Sequence, residues 1–144
     1  DEAIKIFKGG NYDYVSNGQQ PWMDGFDVEV FSFKALEYAW KNAQMSSERE
    51  HVTPYIKNCG KFNVHYMKND PRFANIHASV DKKEDLDFVR EIYKILIGRG
   101  KDHIFTYEDL LSVLEEHPEI LEINKASVIN EGYFKSLKED RKVK

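Results

Sequence analysis

The chain has 144 residues, of which 41% are hydrophobic and 32% are charged. This length fits one domain, and the composition supplies enough apolar residues for a packed core, which excludes a disordered chain. The 21 Lys and Arg residues against 25 Asp and Glu residues give a formal net charge of -4, so neither nucleic acid nor an anionic membrane is expected as a partner.

Cysteine usage and hydropathy narrow the class of protein further. Cys59 is the only cysteine in the sequence, which excludes an intrachain disulfide and a thiolate-rich zinc site. No run reaches the roughly 20 apolar residues that a membrane-spanning helix needs, and the first residues lack a secretory signal pattern. A cytoplasmic protein is expected. Because the sequence begins at Asp1 rather than Met, inside or just before a helical pattern, we also expect it to be a fragment.

The first third of the sequence alternates helix and strand patterns. The opening helix is predicted to end at Gly9-Gly10, and residues 14–16 are predicted to form a short strand. Residues 26–33 alternate apolar and polar side chains, which predicts a strand with one buried face. Ser32 is then predicted to cap a helix whose apolar stripe runs to Ala43.

Two later helices are predicted from the spacing of their capping residues. Ser47 and Glu50 stand three apart, as in a capping box. Asp81 and Glu84 form an Asp-x-x-Glu cap before the strongest helical stripe of the sequence, which stops near residues 98–100.

The remaining elements complete an alternating pattern. Strands are predicted at residues 62–67 and 76–80 and a short edge segment at residues 120–123, while Thr106 caps a helix that stops at His117-Pro118. Helices that alternate with short strands indicate an α/β layer architecture.

The carboxyl-terminal boundary of the domain is predicted from the position of the last apolar residues that could pack in a core. Residues 1–137 are assigned to the folded domain, and residues 138–144 are predicted to form a charged, flexible tail because they have little to bury.

Asp81 is a candidate metal ligand. It follows an apolar strand pattern and precedes a helix, which places its carboxylate at the carboxyl edge of a sheet, where α/β proteins usually bind ligands. Mg²⁺ prefers one or two carboxylates together with phosphate oxygens. An ordinary N-cap is the alternative, and spacing alone favours that interpretation.

Five further residues are candidates for binding a polar substrate. Arg49, Glu50 and His51 gather a cation, a carboxylate and an imidazole at a helix start, although a solvated capping turn is the favoured interpretation because Ser47 and Glu50 already form a predicted capping box. Asp27 and Glu29 face one way on their predicted strand and can bind sugar hydroxyls, or can form an exposed polar face. No phosphate loop, nucleophile elbow or zinc-binding histidine pair occurs, so no catalytic residue is assigned.

Several stretches together resemble one enzyme family. The segments are Gly25–Ser32, Glu48–Ile56 and Val80–Leu86, with supporting likeness in Tyr12–Asn17 and His117–Ile120. They resemble the carboxyl-terminal half of CMP-sugar synthetase-like nucleotidyltransferases, particularly the cytidylyltransferases of spore-coat polysaccharide biosynthesis and their acylneuraminate cytidylyltransferase relatives.

The resemblance covers about residues 1–124 and implies part of a nucleotide-diphospho-sugar transferase fold, a mixed sheet flanked by helices, usually in a homodimer. It implies that Mg²⁺ and CTP bind, and that a sugar hydroxyl attacks the α-phosphate to give a CMP-sugar and pyrophosphate. By the family pattern, Asp81 is similar to the second metal-binding aspartate. Asp27, Glu50 and His51 fall where related enzymes contact the sugar.

The sequence departs from the family pattern in two places and lacks half of it. Lys82-Lys83 replace the usual Thr-Pro after the metal aspartate, and His77 stands where Arg is common. The family's amino-terminal half, which carries the phosphate loop and the first metal aspartate, is absent from this sequence. The isolated chain is therefore expected to be inactive. The alternative is a non-enzymatic dimerisation or sugar-binding module derived from the same fold.

Overall fold

The structure is a computed structural model that describes residues 1–18, 22–68, 71–72, 74–101 and 104–143. Within these ranges it contains helices, three short strands and one 3₁₀ helix. The α-helices are α1 (Glu2–Gly9), α2 (Phe33–Asn42), α3 (Ser46–Glu50), α4 (Pro54–Asn58), α5 (Lys83–Gly98), α6 (Tyr107–Glu116) and α7 (Glu131–Lys138). The strands are β1 (Tyr14–Ser16), β2 (Glu29–Phe31) and β3 (Val64–Tyr66), and the 3₁₀ helix is Pro118–Glu122.

The chain divides into two compact units. The first unit comprises Asp1–Pro21, Asp27–Asp70 and Asn130–Lys144, and the second comprises Trp22–Phe26 and Pro71–Ile129. No helix in the described ranges is long and apolar enough to cross a bilayer.

The first unit is built on a mixed sheet with the strand order β2-β1-β3. Strand β1 pairs antiparallel with β2 and parallel with β3, so that Ser16 lies opposite Glu29 on one side and Tyr66 on the other. All three residues of β1 are buried, as expected for the central strand. The predicted strand at residues 14–16 and the predicted mixed sheet flanked by helices are confirmed.

The core of the first unit lies between this sheet and helices α2 and α4. Its fully buried members are Tyr14, Ala35, Ala39 and Ile56. The two alanines stand four residues apart on one face of α2, and their small side chains let the helix approach the sheet closely. The predicted cap of α2 is confirmed, because Ser32 Oγ accepts a hydrogen bond from the Ala35 N–H at 3.1 Å.

The second unit has a helical core formed by α5, α6 and the 3₁₀ helix. Phe88, Ile92 and Leu96 repeat every four residues along α5 and are buried, as the helical stripe predicts. Helix α6 begins with a reciprocal capping box: Asp109 N–H donates to Thr106 Oγ1 at 3.2 Å, and Thr106 N–H donates to Asp109 Oδ2 at 2.8 Å. The predicted Thr106 cap is therefore confirmed.

Two predicted strands are wrong. In residues 76–80 only His77 forms a β-bridge, with Asp24. The bridge stops there because Gly25 turns the backbone at φ +95°, with its Cα beside the backbone of Ala78. Residues 120–122 belong to the 3₁₀ helix that starts at Pro118, whose fixed φ favours a helical start, and Ile123 is its C-cap. The strand predicted at residues 26–33 is shorter than expected and covers only Glu29–Phe31.

The predicted capping box of Ser47 and Glu50 is also wrong. Helix α3 starts at Ser46, and its capping carboxylate is Glu48, which accepts from Met45 N–H at 3.1 Å. Ser47 is buried and donates its hydroxyl hydrogen to Asp140 Oδ2 at 2.8 Å. Ser47 therefore pairs with Asp140, 93 residues away, and not with the predicted local partner Glu50.

The cap predicted from Asp81 and Glu84 is shifted by one residue. Helix α5 begins at Lys83, and Asp85 accepts hydrogen bonds from Lys82 N–H at 2.8 Å and Asp81 N–H at 3.2 Å. Asp85 is fully buried. The N-cap interpretation of Asp81 is therefore incorrect, which leaves its carboxylate uncommitted to the helix start.

Helix α7 has no counterpart in the sequence prediction, and the segment after it contacts the residues around α3 within the first unit. The Asp140 carboxylate accepts from Ser46 Oγ at 2.9 Å and from Ser47 N–H at 3.0 Å. Val143 N–H donates to Gln44 O at 2.8 Å.

Candidate functional site

A cleft of about 470 Å³ lies in the first unit, and a row of side chains across the sheet forms part of its lining. Glu29, Ser16 and Tyr66 stand opposite one another on β2, β1 and β3. Tyr14 lies two residues before Ser16, so it shares the same face of β1. One face of the sheet therefore presents a carboxylate, a hydroxyl and two phenols to the cleft.

The rest of the lining comes from loops and helices of the same unit. Thr53 lies at the start of α4, Lys57 lies within that helix, and His51 lies just after α3. Asp27 precedes β2, and Tyr133 belongs to α7. The lining is thus mainly polar and aromatic, a combination suited to a ligand with several hydroxyl groups.

Glu29 is the centre of the hydrogen-bond network in this cleft. Its Oε1 atom accepts from Tyr14 OH at 2.5 Å, Thr53 Oγ1 at 3.1 Å and Lys57 Nζ at 3.2 Å. The other carboxylate oxygen, Oε2, accepts no hydrogen bond from the part of the chain that the structure describes. Three donors on one oxygen fix the carboxylate, and the second oxygen remains as an acceptor for a ligand.

The two tyrosines of this row are hydrogen-bond donors at neutral pH. Burial raises the pKa of Tyr14, and its hydrogen bond to Glu29 raises it further. Burial also raises the pKa of Tyr66, with an additional contribution from the negative charge of Glu29. Both phenols therefore keep their protons, and Tyr14 uses its proton to hold Glu29.

The turn after β1 positions the segment that carries Asp27. Asn17 is buried, and its Oδ1 accepts a hydrogen bond from Val28 N–H at 2.8 Å. Ser16 Oγ accepts from Gly18 N–H at 2.9 Å. A methyl group on Gly18 would lie 3.6 Å from Asp27 Oδ1 and 3.2 Å from Ser16 Oγ, so the missing side chain keeps this corner of the cleft open.

His51 is held by helix α7. Ser136 Oγ donates its hydrogen to Tyr133 O at 2.8 Å, so it acts as the acceptor in its 2.8 Å contact with His51 Nε2. In a neutral ring this fixes the proton on Nε2 and makes Nδ1 an acceptor. The ring also meets the Tyr133 ring edge-on, with centroids 5.0 Å apart.

The structure brings together three of the five predicted substrate-binding residues. Asp27, Glu29 and His51 line the cleft, whereas Arg49 and Glu50 do not. Arg49 instead lines a smaller apolar hollow beside α2 and donates to Trp40 O at 3.1 Å. Glu50 is 63% exposed, with Oε2 3.9 Å from His51 Nε2.

Three residues that hold Glu29 are not among the candidates that the sequence motifs indicate. The sequence pattern places Tyr14 in a strand, and a phenol in a fully buried strand requires a hydrogen-bond partner. Thr53 and Lys57 stand four residues apart, on one side of a short helix. That spacing was the available signal for a shared partner.

Asp81, the predicted metal ligand, lies in the second unit next to a buried histidine. Its side chain is 69% exposed, and its Oδ2 lies 3.3 Å from His77 Nε2. The other ring nitrogen of His77 lies 2.5 Å from Asp24 Oδ2. No group of three His, Cys, Asp or Glu side chains in the described ranges is arranged to hold a metal ion. Within the described residues Asp81 is thus a single exposed carboxylate beside an imidazole, and the metal role that the family resemblance implies stays a prediction.

Asp85 fixes the backbone that carries Asp81. Burial by itself raises the pKa of Asp85, but hydrogen bonds from Ser127, Asn124 and the Lys82 and Asp81 N–H groups outweigh it and lower the pKa to about 2. Ser127 Oγ and Asn124 Nδ2 lie 2.6 Å and 3.1 Å from Asp85 Oδ1. The ionised Asp85 carboxylate thus holds the backbone of Asp81 and Lys82 in place.

The fold, a mixed sheet flanked by helices, is that of a nucleotidyltransferase-like protein. A cytidylyltransferase from Leptospira borgpetersenii serovar Hardjo-bovis is similar in structure, with a TM-score of 0.74 and 26% sequence identity over 84% of this chain and 51% of that one. This similarity supports the general resemblance to cytidylyltransferases that the sequence motifs indicate.

A second relative is the uncharacterized protein MJ1063 of Methanocaldococcus jannaschii, which is 34% identical over 128 residues, or 86% of this chain and 50% of that protein. The chain thus spans about half the length of each of these two proteins. No protein-family model matches the sequence.

Proposed function

We propose that the chain is part of a cytoplasmic cytidylyltransferase that activates a sugar as its CMP derivative for surface polysaccharide biosynthesis. The observation that carries the proposal is the cleft around Glu29, on a fold shared with a cytidylyltransferase. The cleft supplies the sugar site, and the intact enzyme acts as a homodimer.

The chemistry of the cleft supports a sugar as its ligand. Glu29 Oε2 accepts a hydrogen bond from a sugar hydroxyl, while Lys57 and Tyr66 supply donors. Aromatic rings from Tyr66 and Tyr133 provide apolar surface beside these polar groups. A pocket with few, well-placed polar groups among aromatic rings binds a polyol in a defined orientation.

In the proposed reaction, a sugar hydroxyl attacks the α-phosphate of CTP, a new phosphate ester forms, and the bond to pyrophosphate breaks as the hydroxyl proton is lost. When bound, Mg²⁺ would supply the positive charge that neutralises and orients the phosphates. By the family resemblance, Asp81 is the residue of this chain that would hold it, through one carboxylate oxygen. Asp85 holds the backbone at Asp81 in place, because its carboxylate accepts hydrogen bonds from the N–H groups of Asp81 and Lys82.

A non-enzymatic module that dimerises or binds sugar is the second candidate function. Its specific support is the apolar surface on α2, where Phe33 is 78% exposed and Trp40 is 63% exposed. Exposed aromatic residues of this kind mark protein interaction surfaces. Sugar binding without transfer would use the same cleft and require neither CTP nor Mg²⁺.

The test uses the natural polypeptide that carries this sequence, identified by its mass in source cells with an antibody against the chain. Pyrophosphate release is measured with CTP, Mg²⁺ and a panel of sugars, for the wild type and for Glu29→Gln. We expect sugar-dependent release and a loss of at least about tenfold in kcat/KM for Glu29→Gln.

Glu37→Gln is the matched control, because Glu37 is on the surface of α2 and pairs with Lys41, outside the cleft lining. It should leave turnover unchanged. Sugar binding without CTP-dependent pyrophosphate release would favour the module. Turnover that is insensitive to Glu29→Gln would exclude the cleft as the sugar site.

A further inference from the structure

The backbone between helices α3 and α4 is strained at Val52. Its φ is +64°, and among the non-glycine residues that the structure describes it shares a positive φ with Asn130 alone. Thr53 N–H donates a hydrogen bond to His51 O at 2.7 Å, so these three residues form a γ-turn of the rare form whose central φ is positive. Asparagine tolerates this conformation, whereas a β-branched residue such as valine is strained in it.

The turn interrupts what would otherwise be one continuous helix. Helix α3 ends at Glu50, and α4 starts at Pro54. In a continuous helix the Pro54 ring would clash with the carbonyl group of Glu50, so the chain leaves the helical conformation before Pro54. The break falls at Val52, whose side chain is 46% exposed and lines the apolar hollow beside α2.

This break lets two neighbouring side chains share one wall of the cleft. His51 and Thr53 both line the cleft, whereas Val52 between them lines the hollow. At 3.6 residues per turn, residues two apart in a helix point in directions about 200° apart. With a helical backbone at Val52, His51 and Thr53 could therefore not face the same cleft.

Contacts on both sides of the turn hold its strained backbone in place. Before the turn, His51 N–H donates to Ser47 O at 3.0 Å, and the His51 ring contacts Ser136 Oγ at 2.8 Å. After the turn, Thr53 Oγ1 donates to Glu29 Oε1 at 3.1 Å. Backbone strain of this kind persists only where the surrounding structure fixes it. The side-chain contacts that offset the strain are thus contacts of the two cleft-lining residues themselves.

We propose that Val52 is a positioning residue for the sugar, an inference that rests on the proposed sugar site. Its left-handed backbone, and not its side chain, places His51 and Thr53 in the cleft. Thr53 then fixes the Glu29 carboxylate, and His51 offers Nδ1 as an acceptor for a sugar hydroxyl. Sugar affinity should therefore follow how readily residue 52 adopts a positive φ, and not how apolar its side chain is.

The test replaces Val52, in the natural polypeptide, with residues that differ in backbone preference. Glycine and asparagine accept a positive φ, whereas proline fixes φ near −65°. No described residue accepts a hydrogen bond from the Val52 N–H, so proline removes none at this position. Calorimetric titration measures the affinity for CTP and for a panel of neutral hexoses, hexosamines, uronic acids and N-acetylneuraminate. Circular dichroism melting shows whether each variant is folded.

We expect sugar affinity to separate these variants by their backbone preference. Val52→Gly and Val52→Asn should bind sugar at least as tightly as the wild type and melt no lower, although both remove an apolar side chain. Val52→Pro should bind sugar at least about tenfold more weakly, because the hydrogen bonds from His51 and to Glu29 are misplaced, with unchanged affinity for CTP. Val52→Thr, which keeps the β-branch, is the matched control and should resemble the wild type.

The outcomes separate this inference from the proposed function. Loss of sugar affinity in folded Val52→Gly and Val52→Asn, or wild-type sugar affinity in Val52→Pro, overturns the positioning role and leaves the sugar site intact. If Val52→Pro does not fold, hydrogen exchange at the Thr53 N–H decides: it should be slower in Val52→Asn than in the wild type, and equal or faster exchange overturns the role. A wild type that binds none of the saccharides overturns both.

Discussion

Tyr14 and Glu29 are joined by a 2.5 Å hydrogen bond across the antiparallel pair β1 and β2, from the Tyr14 phenol to Glu29 Oε1. Tyr14 is fully buried in the core, while Glu29 lines the cleft. The bond therefore ties the orientation of a ligand-facing carboxylate to the packed interior of the first unit. Changes on either side of it should affect both stability and binding.

We predict that Tyr14→Phe lowers both the free energy of unfolding and the affinity for sugar. Loss of one charge-assisted hydrogen bond should cost about 2 kcal/mol, and the freed Glu29 carboxylate should weaken sugar binding several-fold. Urea unfolding and calorimetric titration measure the two effects. Tyr93→Phe is the control, since Tyr93 is a partly exposed tyrosine on α5; an equal loss in both variants would contradict the role of the bond.

The same residue predicts how stability changes at high pH. Because folding raises the pKa of Tyr14 above its ordinary value of 10.0, the folded state retains a proton that the unfolded state loses. The contribution of Tyr14 to stability should therefore be constant below about pH 10 and fall as the pH rises further. Thermal melting between pH 8 and pH 11 measures this, and Tyr14→Phe should show a shallower decline than the wild type.

Asp85 predicts the opposite dependence at low pH. Its pKa falls from 3.8 to about 2 on folding, so its contribution to stability is complete above about pH 4 and disappears as the pH falls towards 2. Asp85→Asn should lose about 2 kcal/mol at pH 7, because Asn124, which is buried, and Ser127, which is partly buried, lose a charged acceptor. Urea unfolding from pH 2 to pH 7 tests both statements.

Asp87→Asn is the control for that experiment, because Asp87 lies on the surface of the same helix and pairs with Lys83. Surface ion pairs contribute at most about 1 kcal/mol. If the two variants lost the same stability, the buried network around Asp85 would not be the cause.

Gly25 is predicted to tolerate no side chain. Its φ is +95°, and a Cβ atom would lie 2.9 Å from the backbone of Ala78 and Ser79. Gly25→Ala should therefore cost about 2 kcal/mol or more. Gly98→Ala, at the end of α5, meets no atom within 4 Å and should be neutral or slightly stabilising. Thermal melting compares the two, and equal melting temperatures would refute the steric argument.

The proposed metal role of Asp81 predicts a defect in cation binding. Asp81→Asn in the natural polypeptide should lower turnover about 100-fold and weaken Mn²⁺ binding in the presence of CTP, measured by electron paramagnetic resonance, with little change in melting temperature. Glu84→Gln, in the first turn of α5, is the control. Undiminished turnover and unchanged Mn²⁺ affinity in Asp81→Asn would exclude the residue as a ligand.

Features with local causes were predictable from the sequence. The strand at residues 14–16, the Ser32 and Thr106 caps and the stripe of Phe88, Ile92 and Leu96 all depend on neighbours within four residues. Helix caps and periodic burial are encoded at this short range. The family motifs likewise pointed to the cytidylyltransferase fold that the structural comparison supports.

The capping boxes at α3 and α5 were misassigned because distant residues compete for the same polar groups. Ser47 is 93 residues from Asp140 in the sequence, and Asp85 is 39 residues from Asn124. A Ser-x-x-Glu or Asp-x-x-Glu spacing describes only what is possible locally. At α5 the capping carboxylate is Asp85, which the fold buries, whereas at α3 Ser47 pairs with Asp140 and Glu48 provides the cap.

The composition of the cleft depends on the path of the whole first unit. Sequence patterns identified Asp27, Glu29 and His51 one by one, but the three donors of Glu29 come from β1 and from the start and body of α4, 15 to 28 residues away. Helix α7 reaches His51 from 85 residues away. The local sequence pattern determines which residues can form a strand or a helix. Long-range packing determines which side chains meet, because the pairing of the strands fixes the register that aligns Glu29 with Ser16 and Tyr66.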